Sequence, residues 1–314
     1  TVYVFAGPLV GDISVVDAIA TFHTEAVGAR LGEGLAVGFL DIDAWPDLIV
    51  TEEQDDSATV WAVLGPLEGN DLLSVRADVA LTAAPAATSV SIVGDVNGDS
   101  HPDLVVGSVP PRDPDIPSWD IDIRGVVAAY FGPLQTDGAH PEDADLTWRS
   151  AHSRRDGLVG TAAGTATVAL GDFDGDGYDD FAASASETIA PDTGGAPWDA
   201  IDGSITVISG GAGTAAIRIA STHQARRDGM PVGLELVAAA DVDGDGHRDF
   251  LATHVGTYGC SASRSVGLFR SGPTFVNNDT FGAWWSRRWT ADRTSVATAI
   301  AANDINGDGL TDMV

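Results

Sequence analysis

The chain has 314 residues, 44% of them apolar, which is enough for a substantial buried core. Asp and Glu number 46 against 16 basic residues, all of them arginine, for a formal net charge of −30. Such an acidic surface repels phosphate backbones and anionic headgroups, which excludes nucleic acid as a partner, and no apolar run is long enough for a membrane-inserted helix.

Taken in chain order, the predicted elements repeat. TVYVFAGPL, from Thr1, reads as a strand closed by Gly-Pro. LDIDAWPDLIV places Asp41, Asp43 and Asp47 in a turn before an apolar strand, and ATVWAVLGPL from Ala58 is again a strand ending in Gly-Pro. GDVNGDSHPDLVVG from Gly94 is a fuller acidic turn with its strand, followed by GVVAAYFGPL from Gly125 and the weaker strand ADLTWRS from Ala144. The third round is ATVALG (166–171), GDFDGDGYDDF (171–181), DFAAS (180–184) and GSITVISGG from Gly203. ADVDGDGHRDFLAT from Ala240 and SVGLFRSGP from Ser265 form a fourth round, and NDINGDGLTDMV from Asn303 opens a fifth. The unit is strand, acidic loop, strand, variable connection, strand ending in Gly, weaker strand. Short strands with Gly-rich turns, repeated at intervals of 54 to 77 residues, predict an all-β chain: one β-propeller domain over 1–314, built from four-stranded blades with five repeats visible.

The acidic loops have a common register. In the third, Asp172, Asp174, Asp176 and Asp180 stand at positions 1, 3, 5 and 9, with the Tyr178 carbonyl at position 7. A hard cation such as calcium takes six to eight oxygens, and this spacing can wrap one ion as an EF-hand loop does, with Gly177 at the turn position. Position 12 is Ala183 rather than an EF-hand glutamate, and a strand follows instead of a helix. The other loops place Asp95, Asn97, Asp99, His101 and Asp103; Asp241, Asp243, Asp245, His247 and Asp249; and Asp304, Asn306, Asp308, Leu310 and Asp312 at the same positions. Acidic turns are also ordinary solvated turns, but four in one register predict about four bound calcium ions. The copy at Asp41 lacks two residues and both glycines, and reads as a metal-free turn held by Trp45 and Pro46.

With YFGPL at 130–134 and VVGSVP at 105–110 beside these loops, the chain resembles the FG-GAP repeat of integrin α-like propellers. The resemblance implies an extracellular or secreted adhesion or ligand-recognition module with structural calcium and no catalytic activity. Integrin-like propellers usually have seven blades. Here Thr1 opens on a third strand and Val314 closes a second, so the expected ring has five blades, one split across the termini with Thr1–Ala6 beside the strand ending at Val314. The alternative is part of a six- or seven-bladed ring. Because Thr1 is not an initiator methionine, a processed or trimmed chain is expected.

No Ser/His/Asp, Cys/His, phosphate-loop or zinc pattern stands out. His23, His152 and His223 recur with the repeat, as do Arg154-Arg155-Asp156 and Arg226-Arg227-Asp228, which suits blade structure or, alternatively, anion capture by arginine forks. Cys260 is alone and reads as a small buried residue. Two long connections, 110–125 and 187–203, break the repeat and carry Trp119-Asp120 and Trp198-Asp199. Insertions on a rigid scaffold carry binding, so Trp119, Asp120, Trp198 and Asp199, aided by Arg154 and Arg226, are the expected contacts for a protein or glycan ligand; the alternative is that each Trp caps its own blade. Two further functions remain open: a structural subunit in which copies of the chain assemble into a filament or surface layer, and the non-catalytic part of a secreted hydrolase or lyase.

Overall fold

A computed structural model of the chain describes all residues except 55–56, 84–85, 110–124, 135–143, 152–157, 160–161, 186–200, 227–231, 240, 243–245, 259–260, 271–287, 291–301, 304–311 and 314. Among the described residues it is all-β, apart from a 3₁₀ turn at Val15–Asp17 and the single-turn helix α1 (Leu73–Arg76).

Four antiparallel four-stranded units follow one another, each in up-and-down order. The first joins β3 (Arg30–Gly38), β4 (Asp47–Gln54), β5 (Ser57–Val63) and β7 (Val79–Ala83). The second joins β8 (Ser89–Gly94), β9 (Asp103–Ser108), β10 (Val126–Tyr130) and β11 (Leu146–Ala151), with β12 (Leu158–Val159) added in parallel to β11. The third holds β13 (Ala163–Gly171), β14 (Asp180–Ala185), β15 (Ile201–Ser209) and β16 (Arg218–Arg226). The fourth holds β17 (Val232–Ala238), β18 (Phe250–Tyr258), β19 (Ser261–Phe269) and β20 (Arg288–Thr290). Each acidic loop connects the first and second strands of its sheet, as the repeat predicts.

The sheets stack face to face. One apolar layer joins Ile49, Val60 and Ala62 to Val90, Leu104 and Tyr130. A second joins Val93, Val105 and Val127 to Phe181, Ala183 and Ile208, and a third joins Val168, Phe173 and Ala182 to Phe250, Ala252 and Phe269. A sheet covered on both faces buries successive residues of its second strand. Phe181 and Ala183 therefore serve one layer and Ala182 the other, and β9 and β14 are buried at every position. This is why these strands read as unbroken apolar runs rather than alternating ones. Phe250 stacks on Phe269 with centroids 4.8 Å apart, and Trp148 meets Phe181 edge-on at 5.5 Å. The first strands are mutual neighbours: β8 lies against both β3 and β13, and β13 against β17.

The two ends differ from expectation. β1 (Val2–Val4) pairs with β2 (Ala20–His23), and β2 pairs in parallel with β6 (Gly69–Leu72). β22 (Asp312–Met313) pairs with β21 (Ala302–Asn303), and among the described residues no ladder joins β22 to β1. Thr1–Ala6 and the last strand are thus in separate sheets, not in the single sheet expected of a closed five-bladed ring. Each of these short strands carries a ladder on one edge only, β1 to β2 and β22 to β21, and among the described residues no ladder fills its other edge. Val2, Ala20 and Phe22 still form an apolar layer with Leu48, Val50 and Val63.

Candidate metal centre

The loop between β13 and β14 brings Asp172, Asp174 and Asp176 together, with one carboxylate oxygen from each lying within 4.8 Å of the others. The turn is set by its own carboxylates. Asp176 N–H donates to Asp174 Oδ1 (3.2 Å), Gly177 N–H to Asp172 Oδ2 (3.1 Å) and Tyr178 N–H to Asp176 Oδ1 (3.1 Å). Asp174 is buried, and its Oδ2 accepts from Ser209 Oγ (2.9 Å) with the Arg218 guanidinium 3.7 Å away. Asp172 Oδ1 is buried without a hydrogen-bond partner. Three carboxylates this close repel one another, and an orphaned buried oxygen costs free energy. A hard cation with oxygen ligands would relieve both, so the donor set fits calcium.

Loop 95–103 has the same backbone course but is more self-satisfied. Asp95 Oδ1 accepts from Gly98 (2.7 Å) and Asp99 (3.0 Å), and Oδ2 from Ser100 (2.8 Å). Asn97 Oδ1 accepts from Asp99 N–H (2.8 Å), while its amide donates to Asp99 Oδ2 (2.9 Å). Asp99 Oδ1 accepts from His101 N–H (2.9 Å). Replacing an aspartate by Asn97 at position 3 removes one charge and supplies a donor, which lets this loop close on itself. In loop 241–249, Asp241 Oδ2 accepts from Gly246 N–H (2.7 Å); Asp243 and Asp245 lie outside the described residues. Asp304, Asn306, Asp308 and Leu310 also lie outside them, and Asp312 pairs through its backbone with Asn303.

The ninth position has a second role that the ligand register did not disclose. Asp47, Asp103, Asp180 and Asp249 are all fully buried. Oδ2 of each accepts a backbone N–H from the start of its own loop: Leu40 (2.6 Å), Val96 (2.9 Å), Phe173 (2.8 Å) and Val242 (2.8 Å) respectively. Oδ1 of the first three accepts from the glycine that ends the third strand: Gly65 (2.8 Å), Gly132 (2.9 Å) and Gly210 (2.8 Å). This aspartate is a staple between the first connection and the third strand. Asp180 Oδ2 also accepts from Asp174 N–H (3.1 Å), so it is Oδ1, with its single bond, that keeps a lone pair for an ion. The damaged loop retains the staple, with the Asp43 and Trp45 N–H groups donating to Asp41 Oδ1 (2.9 Å) and Asp43 Oδ1 (2.7 Å). The recurring Gly at the end of the third strand was the available signal.

Burial governs the charges. It pushes the Asp103 carboxyl up to about 6 and that of Asp180 up to about 7, although the backbone N–H bonds to each pull the other way. Burial also raises Asp176 and Asp179 above the usual carboxylate range.

Neighbouring loops touch. Asp179 Oδ2 accepts from Asp95 N–H (2.8 Å), and His247 Nδ1 lies 3.1 Å from the Asp172 carbonyl. Gly98 and Gly175, each fourth in its loop, have φ of +78° and +79°. A Cβ on Gly98 would come within 2.5 Å of the Tyr178 ring, and one on Gly175 within 3.1 Å of the His247 ring. Backbone conformation and close approach both demand glycine there. The expected ligand contacts Trp119, Asp120, Trp198, Asp199 and Arg154 lie outside the described residues, and Arg226 ends β16 opposite Ile201.

No protein-family model matches the chain, and no curated protein matches it. Among solved structures it is similar to rhamnogalacturonan lyase YesW, at 11% identity and a TM-score of 0.41 over 77% of this chain and 49% of that one. It is equally similar to the Bacillus licheniformis rhamnogalacturonan lyase PL11, at 11% identity and a TM-score of 0.41 over 76% of this chain and 49% of that one. The chain spans about half the length of these two proteins.

Proposed function

We propose that the chain is a calcium-stabilised recognition or adhesion module of the extracellular space, without catalytic activity. Its sheets are blades of a β-propeller of FG-GAP-like repeats, and its ions are structural. The observation that carries this reading is the Asp172–Asp174–Asp176 cluster with its orphaned Asp172 Oδ1, set in a loop whose course recurs in the neighbouring sheet. Neighbouring first strands and face-to-face stacking support the blade arrangement. β1–β2 matches the third and fourth strands of a further blade and β21–β22 the first and second, and joining the open edges of β22 and β1, which lie in separate sheets here, would complete it. In support, Leu35 and Val37, the β3 residues opposite Val50 and Leu48, are 51% and 67% exposed, whereas Val90 and Leu236, which match Leu35, are buried and Ile92 and Ala238, which match Val37, are half-buried. The four acidic loops hold about four calcium ions, and sites of modest affinity fill where calcium is plentiful, outside the cell. Ligand is taken on the opposite end of the sheets, by the long connections bearing Trp119-Asp120 and Trp198-Asp199.

The test has two arms. Calcium should raise the melting temperature and chelation should lower it; a flat response refutes the metal reading. The calcium-loaded protein is then presented to panels of immobilised glycans and extracellular proteins, and incubated with polysaccharides while new reducing or unsaturated ends are followed. Saturable binding without turnover supports a recognition module, and turnover of any polymer overturns it.

A further inference from the structure

Resting on the calcium reading above, we propose that Asp179, which the 1-3-5-7-9 ligand register does not use, positions the neighbouring acidic loop, so that a cation in loop 172–180 raises the cation affinity of loop 95–103.

The contact is a two-bond clamp. Asp179 Oδ2 accepts from Asp95 N–H (2.8 Å), and Asp179 N–H donates to the Asp95 carbonyl (3.1 Å). Asp95 is the first ligand position of its loop. The same sheet grips the next residues: Gly211 N–H donates to the Val96 carbonyl (2.9 Å), Gly213 N–H donates to the Asn97 carbonyl (2.7 Å), and the Tyr178 ring lies against Gly98. The stretch carrying ligand positions 1 and 3 of one loop is therefore held from the following sheet. On the other side, Tyr178 and Asp179 lie between Asp176 and Asp180, and Tyr178 N–H is bonded to Asp176 Oδ1. An ion that draws Asp172, Asp174 and Asp176 together fixes the 176–178 turn and, through it, both residues that reach across. Ordering done by the first ion need not be repeated for the second, and linkage makes the benefit reciprocal. The anionic Asp179, between the two loops, also offsets repulsion between the two ions. The next junction is built alike: the His247 ring reaches the Asp172 carbonyl and covers Gly175.

The full chain is titrated with calcium while the backbone amide resonances of Gly98 and Gly175 are followed, each reporting its own loop. Asp176 is exposed, so Asp176→Ala removes a ligand of loop 172–180 without disturbing the core. The Gly98 midpoint should then move to roughly five- to tenfold higher calcium, although no residue of its loop has changed. Asp179→Ala should do the same, and Asp179→Asn, which keeps an acceptor for Asp95 N–H, should recover most of the affinity. A merely structural Asp179 would lower thermal stability without moving the Gly98 midpoint. A shift below twofold in both Asp176→Ala and Asp179→Ala overturns the coupling while leaving the calcium sites standing. Absence of any calcium response at Gly98 and Gly175 in the unaltered chain overturns the underlying reading and the coupling with it.

Discussion

Replacing Asp180 by Ala separates stapling from metal binding. The side chain is fully buried, its Oδ2 accepts from Phe173 and Asp174 N–H, and its Oδ1 accepts from Gly210 N–H. Alanine strands three buried or nearly buried donors, each costing about 1–3 kcal/mol when unsatisfied. Water entering the vacated space recovers part of this, so the expected loss is about 3–5 kcal/mol. At roughly 2 °C per kcal/mol for a chain of this size, the melting temperature should fall by roughly 6–10 °C. Asp176→Ala is the control: the residue is exposed, its described bond is the one accepted from Tyr178 N–H, and it belongs to the carboxylate cluster. In chelator it should cost no more than about 0.5 kcal/mol, yet it should abolish the calcium response of its loop. Thermal melts of both variants, with chelator and with calcium, give the four numbers required. If Asp180→Ala in chelator melts within 2 °C of Asp176→Ala, on the order of one kcal/mol, the staple does not hold the third strand and the reasoning fails.

Asp43→Ala should leave calcium stoichiometry unchanged by calorimetry, whereas Asp174→Ala should remove one ion; equal losses would show that the damaged loop binds too. Metal-free stability should fall as pH rises. The Asp180 carboxyl, ordinarily at 3.8 and pushed up to about 7 by burial, holds its proton in the folded chain where the unfolded chain has released it. That contribution is complete below about pH 4 and gone above about 7, with Asp103 acting the same way up to about 6. Calcium favours the anion and should reverse the trend, releasing protons on binding; melts at pH 5.5 and 8 with and without calcium check this. Val37→Asp should cost about 1–3 kcal/mol if a fifth blade covers β3, the price of burying a charge's polar group without a partner, and under about 0.5 kcal/mol if that flank stays bare; denaturant unfolding decides.

Order along the chain was legible in the sequence because it is local. Strand, acidic turn and strand occupy about twenty residues, and Asp-x-Asp-Gly-Asp in front of an apolar run carries its turn geometry within itself. The bonds of Asp172, Asp174 and Asp176 to the N–H groups beside them are of this kind. Pairing of β14 with β13 and β15 follows from the same neighbourhood. What tertiary structure decided lies further apart. Asp47, Asp103 and Asp180 became staples because Gly65, Gly132 and Gly210, 18 to 30 residues later, return to the same buried spot, and in a buried place a carboxylate must find donors. Asp179 looked like a surplus acid until stacking of the sheets set it against Asp95, 84 residues away. The likeness of Thr1–Ala6 to a third strand predicted its shape but not which strand would fill each of its two edges: β2 fills one, and among the described residues no ladder to β22 fills the other. Sequence determines what each segment can bond; only the folded chain determines which of the possible partners arrives.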